Sequence, residues 1–363
     1  MATETPSNQP LYDEYSVEAE TAAFFQKTSA TRSQCHAKTR ELFGRDDVNI
    51  DIVPVRVQGA CSYSVYAGPA GGDLAYVVQF RLASLALKME VVRRAREVYG
   101  ALAPEVKFEG VAGEGKRKEV LYVYRMSRVK GVTRLNFILK NGFPEDSVDN
   151  MRWRKNLMAG VARFMAISWN NPQPVTPEYR TNLHQTYLNN LNRLLTGLPT
   201  RFQPIVQRCI DSLDAIMALP MVLLHHDFGD CNVIVDETTC HLAGVVDWAE
   251  AAVGPFGVNL HSLQAFTGKL HLRNGWTRYG DYGGLQEVFW EEFKAEVVGG
   301  VSDEEVRAIK MARVLGLLRS SGFTSRLANE PEPEPVPIRD DERGRYSMLS
   351  LDGFLIDEKT RFD

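Results

Sequence analysis

The sequence predicts an α+β protein built as two lobes, with strands gathered in the first and helices in the second. Three observations carry that reading. The chain has 363 residues, which at roughly 100–200 residues per domain makes two domains or lobes. Between residues 50 and 126, short alternating or apolar runs surround a single helical stretch. After residue 126 the apolar residues recur mainly at helical spacing.

In chain order, residues 1–15 read as a loose polar arm, and 17–43 carry helical signals with Ala22, Phe25, Thr39 and Leu42 set among polar residues. Residues 52–58 (IVPVRVQ) alternate as a strand does. Gly59-Ala60-Cys61-Ser62 is a turn of small residues, Tyr63 to Tyr66 alternates again, and Gly68 to Asp73 turns once more. The run from Ala75 to Phe80 is short enough for a strand. A helix is expected over 84–100, where Leu85, Met89, Val92 and Ala95 share a stripe and Gly100 offers a stop. Residues 106–111 and 119–125 read as two further strands.

In the second half, Trp153, Leu157, Val161 and Phe164 mark a helix, and 182–195, 202–218, 284–298 and 303–320 are helical in pattern. The runs 222–224, 233–235 and 242–246 are β-like and enclose a polar loop. The segment EPEPEPVP at 330–337 reads as a linker. Met348, Leu349, Leu351, Phe354, Leu355 and Ile356 make the tail too apolar to hang free, so 346–358 is expected to dock on the body. The expected organisation is an arm and helix over 1–44, a strand-rich lobe over 45–127, a helical lobe over 128–329, and a linker with docked tail over 330–363.

Composition narrows the function classes. Hydrophobic residues make up 44%, charged residues 24%, and the net charge is −4, as in an ordinary globular enzyme. No basic stripe argues for nucleic acid. The N-terminus lacks the basic and apolar regions of a signal peptide, and no run of about 18 apolar residues suggests a membrane span. Cys35, Cys61, Cys209, Cys231 and Cys240 are scattered without a C-x-x-C pair, which fits a reducing cytoplasm better than a disulfide framework. The oligomeric state is not legible.

The chemistry concentrates in residues 223–250, LLHHDFGDCNVIVDETTCHLAGVVDWAE. Phosphoryl transfer needs an oriented nucleophile and neutralised phosphate charge. A carboxylate beside the accepting hydroxyl, then an amide oxygen and a second carboxylate for magnesium, supply both. Asp227 and Asn232 are five apart in a polar loop, His225 lies two before Asp227, and Asp247 follows fifteen after Asn232 at the end of a short strand. That order and spacing matches the His-x-Asp-x-x-x-x-Asn loop of kinases followed by a metal-binding Asp. The tripeptide Asp227-Phe228-Gly229 spells the kinase metal motif, but its place in the loop assigns that role to Asp247 instead.

HHDFGDCN together with VVDWAEA resembles the aminoglycoside phosphotransferase family, most of all its fungal members associated with small-molecule metabolism. Residues 58–66 (QGACSYSVY), 76–81 (YVVQFR), 119–131 (EVLYVYRMSRVKG) and 276–290 (WTRYGDYGGLQEVFW) extend the likeness over roughly 45–360. The resemblance implies a protein-kinase-like fold, with an antiparallel sheet in the small N-lobe and a mainly helical C-lobe. It also implies transfer of the γ-phosphoryl group of ATP, or GTP, to a hydroxyl of a small molecule with Mg2+. Asp227 would be the base, His225 the brace of the loop, and Asn232 and Asp247 the metal ligands. In the N-lobe, Gly59 to Ser62 would close over the phosphates. The phosphate-lysine position reads Gln79, so Arg81, two residues on and on the same strand face, would carry the charge with Glu90 as its partner. Met126 to Arg128 would be the hinge beside the base of the nucleotide.

Blander readings stand beside these. Asp and Asn favour turns for their own hydrogen bonds. Gly59 to Ser62 alone is a hairpin turn, and Trp276, Tyr279, Tyr282 and Trp290 serve a packing core as well as a substrate wall. Asp281 among them could meet a cationic substrate. His225, Asp227 and a distant His261 have the ligand types of a two-His-one-carboxylate iron site. A kinase-like nucleotide-binding or scaffold protein without turnover is the rival function, motivated by Gln79.

Overall fold

The computed structural model describes residues 16–43, 49–59, 61–115, 118–324 and 335–362. The N-terminal arm, Ala60 and most of the Pro/Glu segment lie outside them. The chain forms two compact units, one of Met1–Ala86 with Val106–Arg128, the other of Leu87–Glu105 with Val129–Asp363.

The first unit is an antiparallel sheet of β1 (Ile50–Pro54), β2 (Ser62–Pro69), β3 (Tyr76–Leu82), β4 (Val106–Ala112) and β5 (Leu121–Ser127), in the order β1-β2-β3-β5-β4. Strand alternation sends Tyr63, Val65, Val78, Phe80, Leu121 and Val123 to one buried face. Helices α1 (Val17–Lys27) and α2 (Arg32–Phe43) cover it with Phe24 and Cys35. The helical stretch expected over 17–43 is broken because Thr28 and Ser29 turn their hydroxyls to the carbonyl of Glu119. Thr31 and Gln34 then cap α2 reciprocally.

Two other expectations are corrected here. The strand expected over 52–58 ends at Pro54, because Gln58 folds the next residues into a turn. The helix expected over 84–100 begins only at Met89, as α3 (Met89–Tyr99). Ala83–Leu85 forms one 3-10 turn, whose Leu85 carbonyl accepts from the Arg81 Nε, and Ala86 is extended.

The second unit holds α3, β6 (Val132–Thr133), α4 (Arg134–Asn141), α5 (Val148–Asn170), α6 (Pro177–Gly197), α7 (Gln203–Asp211) and α8 (Leu213–Ala218). There follow β7 (Met221–Leu224), β8 (Val233–Val235), β9 (Leu242–Val245), β10 (Ala252–Pro255), α9 (Gln264–Thr267), β11 (Gly268–His271) and β12 (Gly275–Arg278). The unit closes with α10 (Tyr282–Glu296), α11 (Asp303–Ser321) and α12 (Arg345–Leu351). Its strands form the small sheets β6-β8-β9, β7-β10 and β11-β12. Leu157, Val161 and Phe164 of α5 lie in the core as the helical stripe predicts. Tyr99 of α3 stacks on Phe164 at 4.2 Å and donates its hydroxyl to the Leu223 carbonyl at 3.0 Å.

The tail docks as its apolar content predicts. Met348, Leu351 and Phe354 are buried, Phe354 packs on Trp276 at 4.7 Å, and Arg201 pairs with both Asp340 and Asp352. The aromatic group of 276–290 is packing. Tyr279 lies under the Arg154 guanidinium at 4.5 Å, Tyr282 under that of Arg278 at 4.2 Å, and Trp290 packs on Phe289 and Phe293. Among the described residues no helix is long and apolar enough to cross a membrane.

Helix α11 approaches the 3-10 turn Val258–Leu263 so closely that a Cβ on Gly316 would sit 1.7 Å from the Val258 carbonyl oxygen. Gly316→Ala should therefore cost about 3 kcal/mol, read as a lower denaturant midpoint. A change within about 0.5 kcal/mol would show that the contact relaxes freely.

Candidate active site

The functional side chains of the second unit are set by two short strands and the turns that leave them. β7 ends at Leu224, and the loop from His225 to Asn232 leads into β8. Within that loop Asn232 Nδ2 donates to the Asp227 carboxylate at 2.8 Å and to its backbone carbonyl at 2.9 Å. This orients the amide so that its Oδ1 remains the acceptor. β9 pairs with β8, and beyond it Val246 is bonded on both sides. Its N–H donates to the Asn232 carbonyl at 2.9 Å, and its carbonyl accepts from His225 Nε2 at 2.9 Å. The next residue, Asp247, is exposed and has φ +60. That left-handed conformation is costly for a residue with a Cβ and recurs at functional sites.

His225 is 1% exposed and packs against Trp248 at 4.8 Å. Burial pushes its pKa below the ordinary value, with the Val246 carbonyl pulling the other way. A neutral ring bearing its proton on Nε2 follows, and its buried Nδ1 has no hydrogen-bond partner. At Asp227, loss of hydration raises the carboxyl pKa above its ordinary value, while the Asn232 amide lowers it. A raised pKa suits a base that must take a proton near neutral pH.

Asn232 Oδ1 and the Asp247 carboxylate are hard oxygen donors. Mg2+ takes such donors one or two at a time and fills its remaining positions with phosphate oxygens and water. Among the described residues no group of three or more His, Cys, Asp or Glu is placed to hold a metal ion. The iron-site reading fails on this count. His261 is buried and turns Nδ1 to the Val258 carbonyl at 2.8 Å, and His225 Nε2 is taken by Val246.

In the first unit, Gly59 and Ser62 form an antiparallel bridge, and a Cβ on Gly59 would meet nothing within 4 Å. Gln79 Nε2 donates to Ser62 Oγ at 3.2 Å, while its Oε1 is buried without a hydrogen-bond partner. Arg81 is 6% exposed, and its Nε is taken by Leu85. Met126 pairs with Val77 across the sheet. Arg128 donates its backbone N–H to the Ala75 carbonyl at 2.8 Å and lies over the Tyr66 ring at 4.3 Å. Glu90 is exposed at the start of α3, in the second unit.

Sequence reasoning missed two positioning residues. Gln58 donates Nε2 to the carbonyls of Val55 and Ser64 and accepts the Ser64 N–H, pinning the turn of Gly59. Its signal was its place ahead of a glycine turn. Arg134, 2% exposed, pairs with Asp230 inside the catalytic loop, and the Leu135 N–H donates to the Asp230 carbonyl at 2.9 Å. The residues are 96 apart, and no local pattern joins them. Asp281 is corrected as a substrate contact. Both of its oxygens lie 3.1 Å from Arg154 Nε.

Residues 58–287 match the sequence model of the family described as the phosphotransferase enzyme family. Among solved structures, the chain is similar to the GDP complex of an aminoglycoside 2'-phosphotransferase-IIIa, at 14% identity and TM-score 0.46, covering 80% of this chain and 91% of that one. It is similar to a glucosamine kinase at 11% identity and TM-score 0.46, over 80% and 77% of the two chains. A third is an aminoglycoside phosphotransferase from Streptomyces rimosus in complex with ADP and streptomycin, at 16% identity and TM-score 0.41, over 77% and 97%. No curated protein sequence matches.

Removing Arg134 leaves Asp230 without its buried cation. Arg134→Ala should lose about 3 kcal/mol of stability in urea unfolding, and Arg134→Lys should recover part of it. Equal losses in both variants would show that the charge does not hold the loop.

Proposed function

The chain belongs to the phosphotransferase enzyme family, and from that premise we propose that it transfers the γ-phosphoryl group of ATP, or GTP, to a hydroxyl of a small molecule. One observation carries the reading: Asp227, Asn232 and Asp247 are joined through a single hydrogen-bonded unit. Asp227 takes the proton of the accepting hydroxyl. The hydroxyl oxygen bonds to the γ-phosphorus as the bond from that phosphorus to the β-phosphate oxygen breaks, leaving a phosphate ester and a nucleoside diphosphate. Asn232 and Asp247 would hold Mg2+, which when bound neutralises charge on the phosphate oxygens. Asn232 also steadies the Asp227 carboxylate, and His225 holds the Val246 peptide that leads into Asp247. Gly59 to Ser62 would offer the nucleotide phosphates a backbone N–H, Arg81 and Glu90 would supply charge near them, and Met126 to Arg128 would border the base.

Gln79 favours a second reading, nucleotide binding without turnover. Its amide carries no charge to offset phosphate, and Arg81 has its Nε committed to Leu85. Thermal unfolding with Mg-ATP, Mg-GTP and Mg-ADP separates the readings from a misassigned site. Saturating nucleotide at about 100 times its dissociation constant should add about 2.7 kcal/mol in the wild type. Asp247→Asn should lose that rise. Phosphate-ester formation then decides between turnover and silent binding, and no rise with any nucleotide would sink both.

Asp227 has a sharper signature. Its folded pKa lies above the ordinary value of 3.8, so the folded protein binds the proton more tightly than the unfolded chain. Stability therefore falls as pH rises from about 3.8 through the folded pKa, and the ionised carboxylate costs stability at neutral pH. Asp227→Asn should abolish transfer yet unfold no lower than wild type at pH 7, with any advantage vanishing in acid. Turnover of the wild type should rise with pH through the same raised pKa. Full activity in Asp227→Asn would refute the base assignment.

A further inference from the structure

Free negative charge is scarce around the catalytic loop. Asp230, within the loop, is held by Arg134. Asp281, at the head of α10, is held by Arg154, with side chains 10% and 9% exposed. Glu145 turns both oxygens to Lys269 Nζ, at 2.7 and 2.8 Å. These pairs form one neighbourhood. Phe228 of the loop packs on Phe266 at 5.7 Å, and the Arg134 guanidinium covers the same ring at 4.9 Å. Thr267 and Lys269 follow Phe266 in the chain, and the Tyr279 N–H donates to the Thr267 carbonyl at 3.2 Å. A polycationic acceptor would have to break several of these pairs, and breaking a buried pair strands a charge. Asp146 is an exposed carboxylate beside Gly280, sufficient for a single positive charge.

The connection from α4 to α5 presents the opposite chemistry. Leu139, Phe143 and Val148 are 75%, 83% and 75% exposed. The connection is firmly anchored nonetheless. Asn150 Nδ2 donates to Asn141 O, Pro144 O and Ser147 Oγ, Arg154 Nη1 donates to Glu145 O at 2.9 Å, and Lys269 holds the Glu145 side chain. Its other end is α4, whose first residues are bonded to the catalytic loop. Large apolar side chains held out to water on a fixed support mark a surface that a ligand covers.

Resting on the phosphotransfer reading above, we propose that the acceptor is an alcohol with an apolar body and at most one positive charge, seated against Leu139, Phe143 and Val148. Burying part of a Phe ring against such a body is worth about tenfold in affinity.

The test uses the full chain with Mg-ADP and two probes, the neutral 4-phenylbutan-1-ol and the polycation gentamicin, followed by calorimetry, with phosphorus NMR for turnover under Mg-ATP. Saturable binding of phenylbutanol is expected, about tenfold weaker in Phe143→Ser and weakened again in Leu139→Ser, with no saturable binding of gentamicin. Under turnover the loss should fall on KM rather than kcat. Both replaced side chains are exposed, so thermal unfolding should match wild type and exclude misfolding as the cause. Tighter binding of gentamicin, absence of phenylbutanol binding, or binding indifferent to both substitutions would each overturn the inference. If phenylbutanol binding depends on Phe143 but no phosphate ester forms, the apolar acceptor surface stands and the phosphotransfer reading alone falls.

Discussion

The catalytic arrangement depends on one peptide, that of Val246. Its N–H is fixed by the Asn232 carbonyl and its carbonyl by the buried His225. Asn232 in turn holds the Asp227 carboxylate. A proton-accepting group, an amide oxygen and a second carboxylate from separate stretches of chain thereby share one rigid frame. The left-handed φ of Asp247 is strain of about 1–3 kcal/mol, and it persists because both flanks are over-determined. On one side lies the doubly bonded Val246, and on the other the buried Trp248, whose indole N–H donates to the Val245 carbonyl at 2.9 Å.

The polar frame rests on an apolar floor. Phe228 points down from the loop onto Phe164 and Phe266, and Tyr99, Phe164 and Trp248 continue the stack. Close-packed rings resist small displacements, so the loop's hydrogen bonds are made between parts that do not drift. The same floor dehydrates His225 and holds it neutral, which keeps its Nε2 proton aimed at Val246. Burial thus performs two tasks at once, rigidity below and tautomer control above.

What was legible in the sequence is what is local. The spacing of His225, Asp227, Asn232 and Asp247 lies within one short stretch, and its strand flanks were visible as apolar runs. The α5 stripe and the docking of the tail followed from apolar content that solvent would not tolerate. The misreadings arose where a distant partner decides the outcome. Leu85 fits the stripe of a helix, yet its carbonyl is taken by Arg81 and the helix waits until Met89. Residues 17–43 could not announce that Glu119 would interrupt them. Asp281 looked like a free carboxylate because its partner Arg154 is 127 residues away. Gln58 was part of a recognised segment, but its role required knowing that the backbone would curl around its amide.

The threading of the two units constrains how this gene could have been assembled or divided. The first unit takes residues on both sides of Leu87–Glu105, and that excursion packs with the second unit. The backbone therefore passes between the units three times, so neither corresponds to one uninterrupted stretch of coding sequence. Ending translation after Arg128 would leave the Tyr99 ring of α3 without Phe164 beneath it and its hydroxyl without the Leu223 carbonyl. Exchange of either unit with a relative would need three junctions placed in register, at Ala86, Glu105 and Arg128, and a single crossover would split the core of at least one. The two halves are thus inherited together, and variation is confined to substitutions and surface insertions rather than recombination of whole lobes.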